Sequence, residues 1–354
     1  MWQGIEGHDE VVELFRRAIA RGRLASTYLF VGPEGVGKRT FARRLAQALL
    51  CRSPGSDPLE PCGRCEPCIQ MVAGSHPDLL EVARPADRAE IPLRLLIGPP
   101  ERRMQEGLCH DLWQKPLPGS RRIAIIDDAD YLNEESANCL LKTLEEPPPK
   151  AVVFLIGTSA ERQLPTILSR AQLIRFRPLE AAVVARRLLD SELVSDPAEA
   201  HRIASHCEGS LARARELLDQ DYWQFRRSWL AQLAAPGDDP LTAPRVLLAF
   251  IEAAGKEATA RRARARQIID LTIDFYTELS RTLVGAAAGA AADVREAAER
   301  RASTGVAGED AVLDCVERSL TARAQLDRYV NQATLVECWL DDLASAARGV
   351  VNAE

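Results

Sequence analysis

The sequence of 354 residues lacks a hydrophobic run of about 18 residues, the length that a membrane-spanning helix requires. Its first residues, MWQGIEGHDE, lack the basic and apolar stretches of a secretory signal. A basic excess is also missing, because 45 Lys and Arg against 51 Asp and Glu give a net charge of −6. This balance excludes nucleic-acid binding by overall charge, so any contact with DNA would need a local basic patch or a partner. We expect a cytoplasmic protein without membrane contact.

The composition is that of a folded protein, with 46% hydrophobic and 27% charged residues. These values exclude intrinsic disorder and a collagen-like chain. No internal repeat with a period of about 20–50 residues is visible. The length favours two or three domains over a single core.

Four of the nine cysteines lie within eighteen residues, with the spacing C-x₁₀-C-x₂-C-x₂-C: Cys51, Cys62, Cys65 and Cys68. Cysteines of a cytosolic protein are usually thiols or metal ligands and not disulfides. Two-residue spacings allow thiolates to converge on one tetrahedral centre, and four sulfurs satisfy Zn²⁺ with no open position. A redox pair is the alternative, although four clustered cysteines outside a thioredoxin pattern argue against it. The cluster therefore predicts a structural zinc module over residues 51–68.

Apolar runs alternate with helical patterns in the first half of the chain. Four runs are predicted to be buried strands of a parallel sheet: Tyr28–Val31, Ile123–Ile126, Val152–Ile156 and Leu173–Phe176. The helical patterns between them predict a doubly wound α/β domain, in which sites form at the carboxyl ends of strands.

The pattern changes after Pro178. Short helices are predicted up to residue 222, and helical periodicity with frequent Ala and Arg continues to the end of the chain. We therefore predict an α/β domain over 1–178 that includes the zinc module, a small helical domain over 179–222, and an all-helical domain over 223–354.

A glycine-rich segment, GPEGVGK over residues 32–38, follows the first predicted strand and precedes a predicted helix. Gly32, Gly35 and Gly37 allow backbone N–H groups to surround a phosphate, and Lys38 is placed to reach the outer phosphates. A turn that merely connects strand and helix is the alternative. The context favours a nucleotide-binding loop.

One position departs from the phosphate-loop pattern. The Ser or Thr that would hold Mg²⁺ is replaced by Arg39, and Thr40 follows one place later. A guanidinium group cannot ligate a cation, and its charge opposes Mg²⁺ nearby. The pattern leaves ATP binding open and argues against hydrolysis.

An apolar strand ends in the carboxylates Asp127 and Asp128. In a phosphate-loop protein, the first would support Mg²⁺ and the second would orient the attacking water. Glu is usual at the second place, and Asp is one methylene shorter. Solvated acids at a strand end are the alternative interpretation.

Two further segments point to a family: NCLLKTLEEPP over 138–148 and TILSR over 166–170. They resemble the clamp-loader branch of the AAA+ ATPases. The cysteine cluster, the GKRT at 37–40 and the His-Pro-Asp at 76–78 are most similar to the delta-prime subunits of bacterial DNA polymerase III. The resemblance covers residues 1–215 well. It is weaker at the C-terminus, where DRYVN over 327–331 is similar to the family's last collar helix.

The resemblance implies roles for particular residues. Arg170 would be an arginine finger that acts in trans on the ATP site of a neighbouring subunit, against the alternative of a solvated arginine at a helix end. Thr158 would be the sensor that reaches the γ-phosphate, unless it is an ordinary loop hydroxyl. The second sensor should be an arginine, but its place is taken by Ala212. Arg213 is about 100° further around a helix and cannot be assumed to replace it.

The resemblance also implies a function. The chain would help to load a sliding clamp on primed DNA, in a hetero-oligomeric ring with gamma/tau and delta subunits, holding structural zinc and with its own ATP hydrolysis weak or absent. It would not itself be a polymerase. The domain over 179–222 would be a lid, and the domain over 223–354 a collar.

Two other functions stay open at this stage. One is an active gamma/tau-like ATPase that hydrolyses ATP with Mg²⁺ in its own site; the other is a zinc-dependent DNA-binding module. The basic run over 261–266, RRARAR, either touches DNA phosphates or is a solvated helix face.

Overall fold

The structure is a computed structural model that describes residues 2–85, 88–235, 242–286, 289–304, 308–327 and 330–347. It divides into two compact units, Met1–Leu218 and Asp219–Glu354. The helices that the sequence assigns to a small separate domain belong, up to Leu218, to the first unit. The division into three domains stays a prediction.

In the part of the first unit that the structure describes, five strands form one sheet: β1 (Thr27–Val31), β2 (Leu79–Val82), β3 (Arg122–Ile126), β4 (Ala151–Ile156) and β5 (Gln172–Arg175). Their order is β5-β1-β4-β3-β2, and every pair is parallel. The predicted doubly wound α/β arrangement is confirmed, and so are the four predicted strands. Strand β2 was not predicted, because it lies at the sheet edge, is only half-buried and carries the exposed Glu81.

The described residues of the first unit also form ten α-helices: α1 (Asp9–Ala20), α2 (Lys38–Leu50), α3 (Glu66–Ala73), α4 (Leu93–Ile97), α5 (Leu108–Trp113), α6 (Glu134–Glu145), α7 (Pro165–Leu168), α8 (Ala181–Asp190), α9 (Pro197–His206) and α10 (Leu211–Glu216). Successive side chains of β1 point to opposite faces of the sheet and enter two separate cores. Tyr28 and Phe30 pack with Phe41 of α2 on one face, and Leu29 and Val31 belong to the core on the other. Both faces are thus covered, as a parallel sheet requires.

The described part of the second unit is helical, as predicted: α11 (Gln220–Ala234), α12 (Thr242–Glu252), α13 (Ala258–Leu283), α14 (Ala292–Ser303), α15 (Glu309–Asp327) and α16 (Gln332–Ala347). The long helix α13 is central and packs against α11, α12, α14 and α15. The segment 327–331, which is similar to the last collar helix of the family, includes residues 328 and 329, which lie outside the described residues. None of the described helices combines the length and apolar character needed to cross a bilayer.

The basic run over 261–266 is half-buried on α13 and not a fully solvated face. The guanidinium of Arg264 lies 2.6 Å from Asp219 Oδ2 and 4.6 Å from the ring centre of Phe250. Arg261 Nε donates to the carbonyl oxygen of Gly255 at 2.5 Å. The interpretation as a solvated face is therefore wrong for Arg264, whose charge is neutralised within its own unit.

Candidate nucleotide and metal sites

The glycine-rich loop connects β1 to α2, as its spacing predicts. Gly32, Gly35 and Gly37 have φ values of 151°, 73° and 99°, a region that favours glycine. Two of the three positions also lie against other backbone. A Cβ at Gly32 would overlap the carbonyl oxygen of Phe176, and one at Gly35 would overlap Ser210 Oγ and the backbone N of Ala212 at the start of α10. The loop is therefore shaped by conformation and by close packing together.

A cleft of about 360 Å³ lies beside this loop, where β3 and β4 end and α10 begins. It brings together most of the residues predicted for a nucleotide site: Gly35, Gly37, Lys38, Arg39, Thr40, Asp127, Asp128 and Thr158. Asp130, Ala212 and Arg215 also line it. Its volume is within the range of small-molecule sites.

Lys38 is buried, and its ammonium is held by the loop itself. Nζ donates to the carbonyl oxygens of Gly32 and Pro33 at 2.6 Å and 2.7 Å. Burial lowers the pKa of Lys38, and nearby carboxylates, Glu34 first, oppose that shift. To bind a phosphate, the ammonium would have to exchange at least one of these carbonyl contacts.

Arg39 extends toward the carboxylate that would support a metal ion. Its Nη1 lies 3.5 Å from Asp127 Oδ2, and its Nη2 lies 3.9 Å from Glu81 Oε1 on β2. Mg²⁺ requires oxygen ligands in near-octahedral geometry, and guanidinium supplies none. Thr40 is one residue further, about 100° around α2. Arg39 therefore supplies no metal ligand at the position where the pattern has a Ser or Thr.

Asp128 has a left-handed backbone with φ 59°, which is uncommon outside glycine. Burial raises the pKa of its carboxyl group, and the charge of Asp127 raises it further. Both causes disfavour the charged form relative to that of an ordinary aspartate.

Asp130 also lines the cleft, although the sequence pattern assigned no role to it. Its Oδ2 accepts hydrogen bonds from the backbone N and the Oγ1 of Thr158, at 2.8 Å and 2.5 Å. Its Oδ1 accepts from Gln163 Nε2. The hydroxyl hydrogen of Thr158 is therefore used, and Thr158 would have to break this bond to donate to a phosphate. The third acid of the IDDAD segment was the signal available in the sequence.

The first turns of α10 place one arginine in the cleft. Arg213 is turned to Glu208, with Nη1 2.9 Å from Oε2. Arg215 lines the cleft, three residues after Ala212. Residues three apart on a helix share a face, so this spacing was a signal that the sequence reasoning missed.

Arg170 follows α7 and is not among the residues that line the cleft. Its Nη1 donates to the carbonyl oxygen of Thr166 and to Ser169 Oγ, both at 2.9 Å. Its Nη2 donates to Glu145 Oε1 at 2.5 Å. The side chain is 31% exposed. It lies at the surface of its unit, where a second protein chain can reach it.

The four clustered cysteines converge, as their spacing predicts. All four Sγ atoms lie within 4.8 Å of one another, and Cys51 and Cys65 are separated by 3.9 Å. Zn–S bonds of about 2.3 Å in a tetrahedron place sulfurs roughly 3.8 Å apart. Backbone N–H groups of Arg64 and Cys65 lower the pKa of Cys62 to about 6, whereas burial raises the pKa of Cys51 and of Cys68, so the geometry of the sulfurs carries the assignment. The donor set fits a structural metal ion.

A family model described as "DNA polymerase III, delta subunit" matches residues 7–180. Residues 7–180, just under half of the chain, match the clamp-loader family of DNA polymerase III. The parallel sheet, the helical second unit and the converging cysteines agree with the α/β, all-helical and four-cysteine parts that the sequence predicts.

Relatives of two kinds match this chain. The delta' subunit of Bacillus subtilis is 30% identical over 228 residues, 64% of each chain. The delta' subunit of Pseudomonas aeruginosa is 36% identical over 180 residues, 51% of each chain. The tau subunit of Escherichia coli is 31% identical over 276 residues, 75% of this chain and 40% of the relative. The chain therefore covers less than two thirds of the length of each of these relatives.

Proposed function

We propose that this chain is a delta-prime-like subunit of the clamp loader of DNA polymerase III. It helps an ATP-driven ring of gamma/tau and delta subunits to place a sliding clamp on primed DNA in the cytoplasm. Its own part is to present Arg170 to the ATP site of a neighbouring subunit. The ion pair between Arg39 and Asp127 carries this proposal, because it lies where a hydrolysing subunit needs its metal ion.

Hydrolysis in the chain's own cleft lacks three groups. Arg39 excludes the Mg²⁺ that would neutralise charge on the phosphates. Asp128 stands at the place of the usual glutamate, with a shorter side chain and with a pKa that burial raises. Ala212 stands where the second sensor would be an arginine. Nucleotide binding without turnover is compatible with these three changes.

Arg170 supports the work of another subunit. An arginine finger stabilises charge on the phosphoryl group during transfer and contributes on the order of 10³–10⁵ in rate. Such a residue must be accessible and must stay outside its own chain's cleft. Arg170 meets both conditions, since it is part-exposed and contacts α6 and its own loop.

The four-cysteine module takes a structural role in this proposal. Cys51, Cys62, Cys65 and Cys68 hold Zn²⁺ with no position left for a substrate. The metal ion would stabilise the fold of residues 51–68 and take no part in a reaction.

A gamma/tau-like motor is the second candidate. It is favoured by the tau relative, which matches 75% of this chain against 64% for the delta' relative of Bacillus subtilis. Lys38 and Asp127, which a motor needs, are both present.

ATP turnover by the purified chain without partners separates the two candidates. We expect none above background, for the wild type and for Lys38→Ala alike, because the metal place is taken by Arg39. Turnover that Lys38→Ala abolishes would establish the motor and end the delta-prime-like proposal.

A further inference from the structure

The guanidinium of Arg170 donates three hydrogen bonds, and the acceptor of one of them lies on a separate helix, α6. Thr166 and Ser169 are neighbours in the chain, and each accepts from Nη1 at 2.9 Å. Glu145 is the last residue of α6 and accepts from Nη2 at 2.5 Å. Glu145 thus ties the side chain of Arg170 to the body of the domain.

The contact with Glu145 differs from the other two in strength. It joins a carboxylate to a guanidinium, and charge-assisted hydrogen bonds are roughly twice as strong as neutral ones. An unrestrained arginine side chain carries about 2 kcal/mol of rotamer entropy, which it would lose on meeting a phosphate. A restraint that already exists in the free subunit removes part of that cost.

The three contacts leave donors for a ligand. Arginine has five N–H groups, and Nη1 uses both of its own while Nη2 uses one. No described residue accepts a hydrogen bond from Nε, and Nη2 has a second hydrogen; Nε and Nη2 form one edge of the planar group. This edge matches two oxygens of a phosphate.

We propose that Glu145 is the positioning residue of the arginine finger. It holds the guanidinium in the orientation in which its open edge meets the γ-phosphate bound by the neighbouring subunit. Glu145 does not touch the nucleotide and acts only through Arg170. The inference rests on the proposed function of Arg170.

The test measures kcat and KM for ATP in the complex assembled with gamma/tau and delta subunits, sliding clamp and primed DNA. For Glu145→Ala we expect kcat to fall roughly tenfold to a hundredfold, the effect of a misplaced group, with KM unchanged. The kcat of Glu145→Gln should lie between those of the wild type and Glu145→Ala, since an amide oxygen accepts the hydrogen bond without the charge. Glu146→Gln is the matched control, because this adjacent exposed carboxylate makes no described contact with Arg170, and its kcat should equal that of the wild type.

A double variant separates positioning from a general structural role. In an Arg170→Ala background, Glu145→Ala should cause no further loss, because Glu145 acts through the missing side chain. An additional loss there, or an unchanged or raised kcat for Glu145→Ala alone, overturns the inference. So does reduced recovery of the assembled complex for both Glu145 variants, which would assign Glu145 to assembly. If Arg170→Ala itself leaves kcat intact, the proposed function fails; if it lowers kcat and Glu145→Ala does not, only the positioning role fails.

Discussion

The nucleotide cleft and the Arg170 surface belong to the same unit but use their charged groups in opposite ways. In the cleft, the groups are bound to one another: Lys38 to loop carbonyls, Arg39 to Asp127, and Thr158 to Asp130. At the surface, Arg170 is held by three acceptors, and no described residue accepts a hydrogen bond from its Nε. The contrast teaches that a phosphate loop alone does not make a motor, because the partners of its side chains decide which ligand it can accept.

The largest expected effect compares the two regions directly. In the assembled complex, Arg170→Ala should lower clamp-stimulated ATP turnover by on the order of 10³-fold, the contribution of an arginine finger. Lys38→Ala in the same complex should change it less than about twofold, since turnover occurs in neighbouring subunits. Steady-state turnover of the two complexes checks both. The contrast between the two regions would be wrong if Lys38→Ala lowered ATP turnover more than Arg170→Ala does.

Removal of the metal ion should destabilise the first unit through α2, the helix that follows the phosphate loop. Cys51 ends α2, the helix that begins at Lys38, so loss of the metal should free the end of that helix. We expect a chelator, or Cys65→Ser, to lower the free energy of unfolding by more than about 3 kcal/mol. Thermal unfolding with and without chelator measures this, and the metal content of the purified protein identifies the ion. Unchanged unfolding in the chelator would contradict a structural metal role.

Replacing the arginine at the metal place should give the cleft a dependence on magnesium. Arg39→Ser supplies a hydroxyl where guanidinium lies and frees Asp127. We expect Mg²⁺ to tighten ATP binding by about tenfold in this variant and to leave the affinity of the wild type unchanged. Titration calorimetry with and without Mg²⁺ is the measurement, and Arg43→Ser is a control on the next turn of α2. A wild-type affinity that already depends on Mg²⁺ would show that Arg39 moves away from Asp127 when the metal ion binds.

The smallest expected effect concerns Asp128, which lines the cleft and has a left-handed backbone. Because burial raises the pKa of Asp128 in the folded state, its stabilising contribution is present in acid and is lost as pH rises through that pKa. Asp128→Asn should therefore stabilise the protein at pH 7, by up to about 1 kcal/mol, and the gain should vanish in acid. Asparagine also tolerates the left-handed backbone. Denaturant unfolding at two pH values tests the sign, and a gain that persists in acid would assign it to the backbone alone.

Much of the first unit could be predicted from local pattern. The buried strands β1, β3, β4 and β5 are short apolar runs, and the four cysteines have a spacing whose geometry is nearly determined by the metal they fit. Strand β2 escaped because an edge strand needs fewer apolar residues, and Glu81 interrupts the run. The departure at Arg39 was visible as well, since it is a single residue in a known pattern.

The partners of these residues could not be predicted. That Arg39 reaches Asp127 depends on α2 and β3 lying side by side, and that Arg170 reaches Glu145 depends on the packing of α7 against α6. Arg264 shows the same limit, because its partner Asp219 lies 45 residues away in the chain. Charge patterns identify which side chains are ionised, but tertiary contacts decide which of those charges remain available.

Helix α2 has 13 residues, with the phosphate loop at one end and Cys51 as the residue that caps the other. One residue more or less would rotate one end against the other by about 100° and shift it by about 1.5 Å. Either Arg39 would turn away from Asp127, or Cys51 would leave the other three sulfurs. The distance in sequence between Lys38 and Cys51 is therefore expected to tolerate many substitutions and to exclude single insertions and deletions.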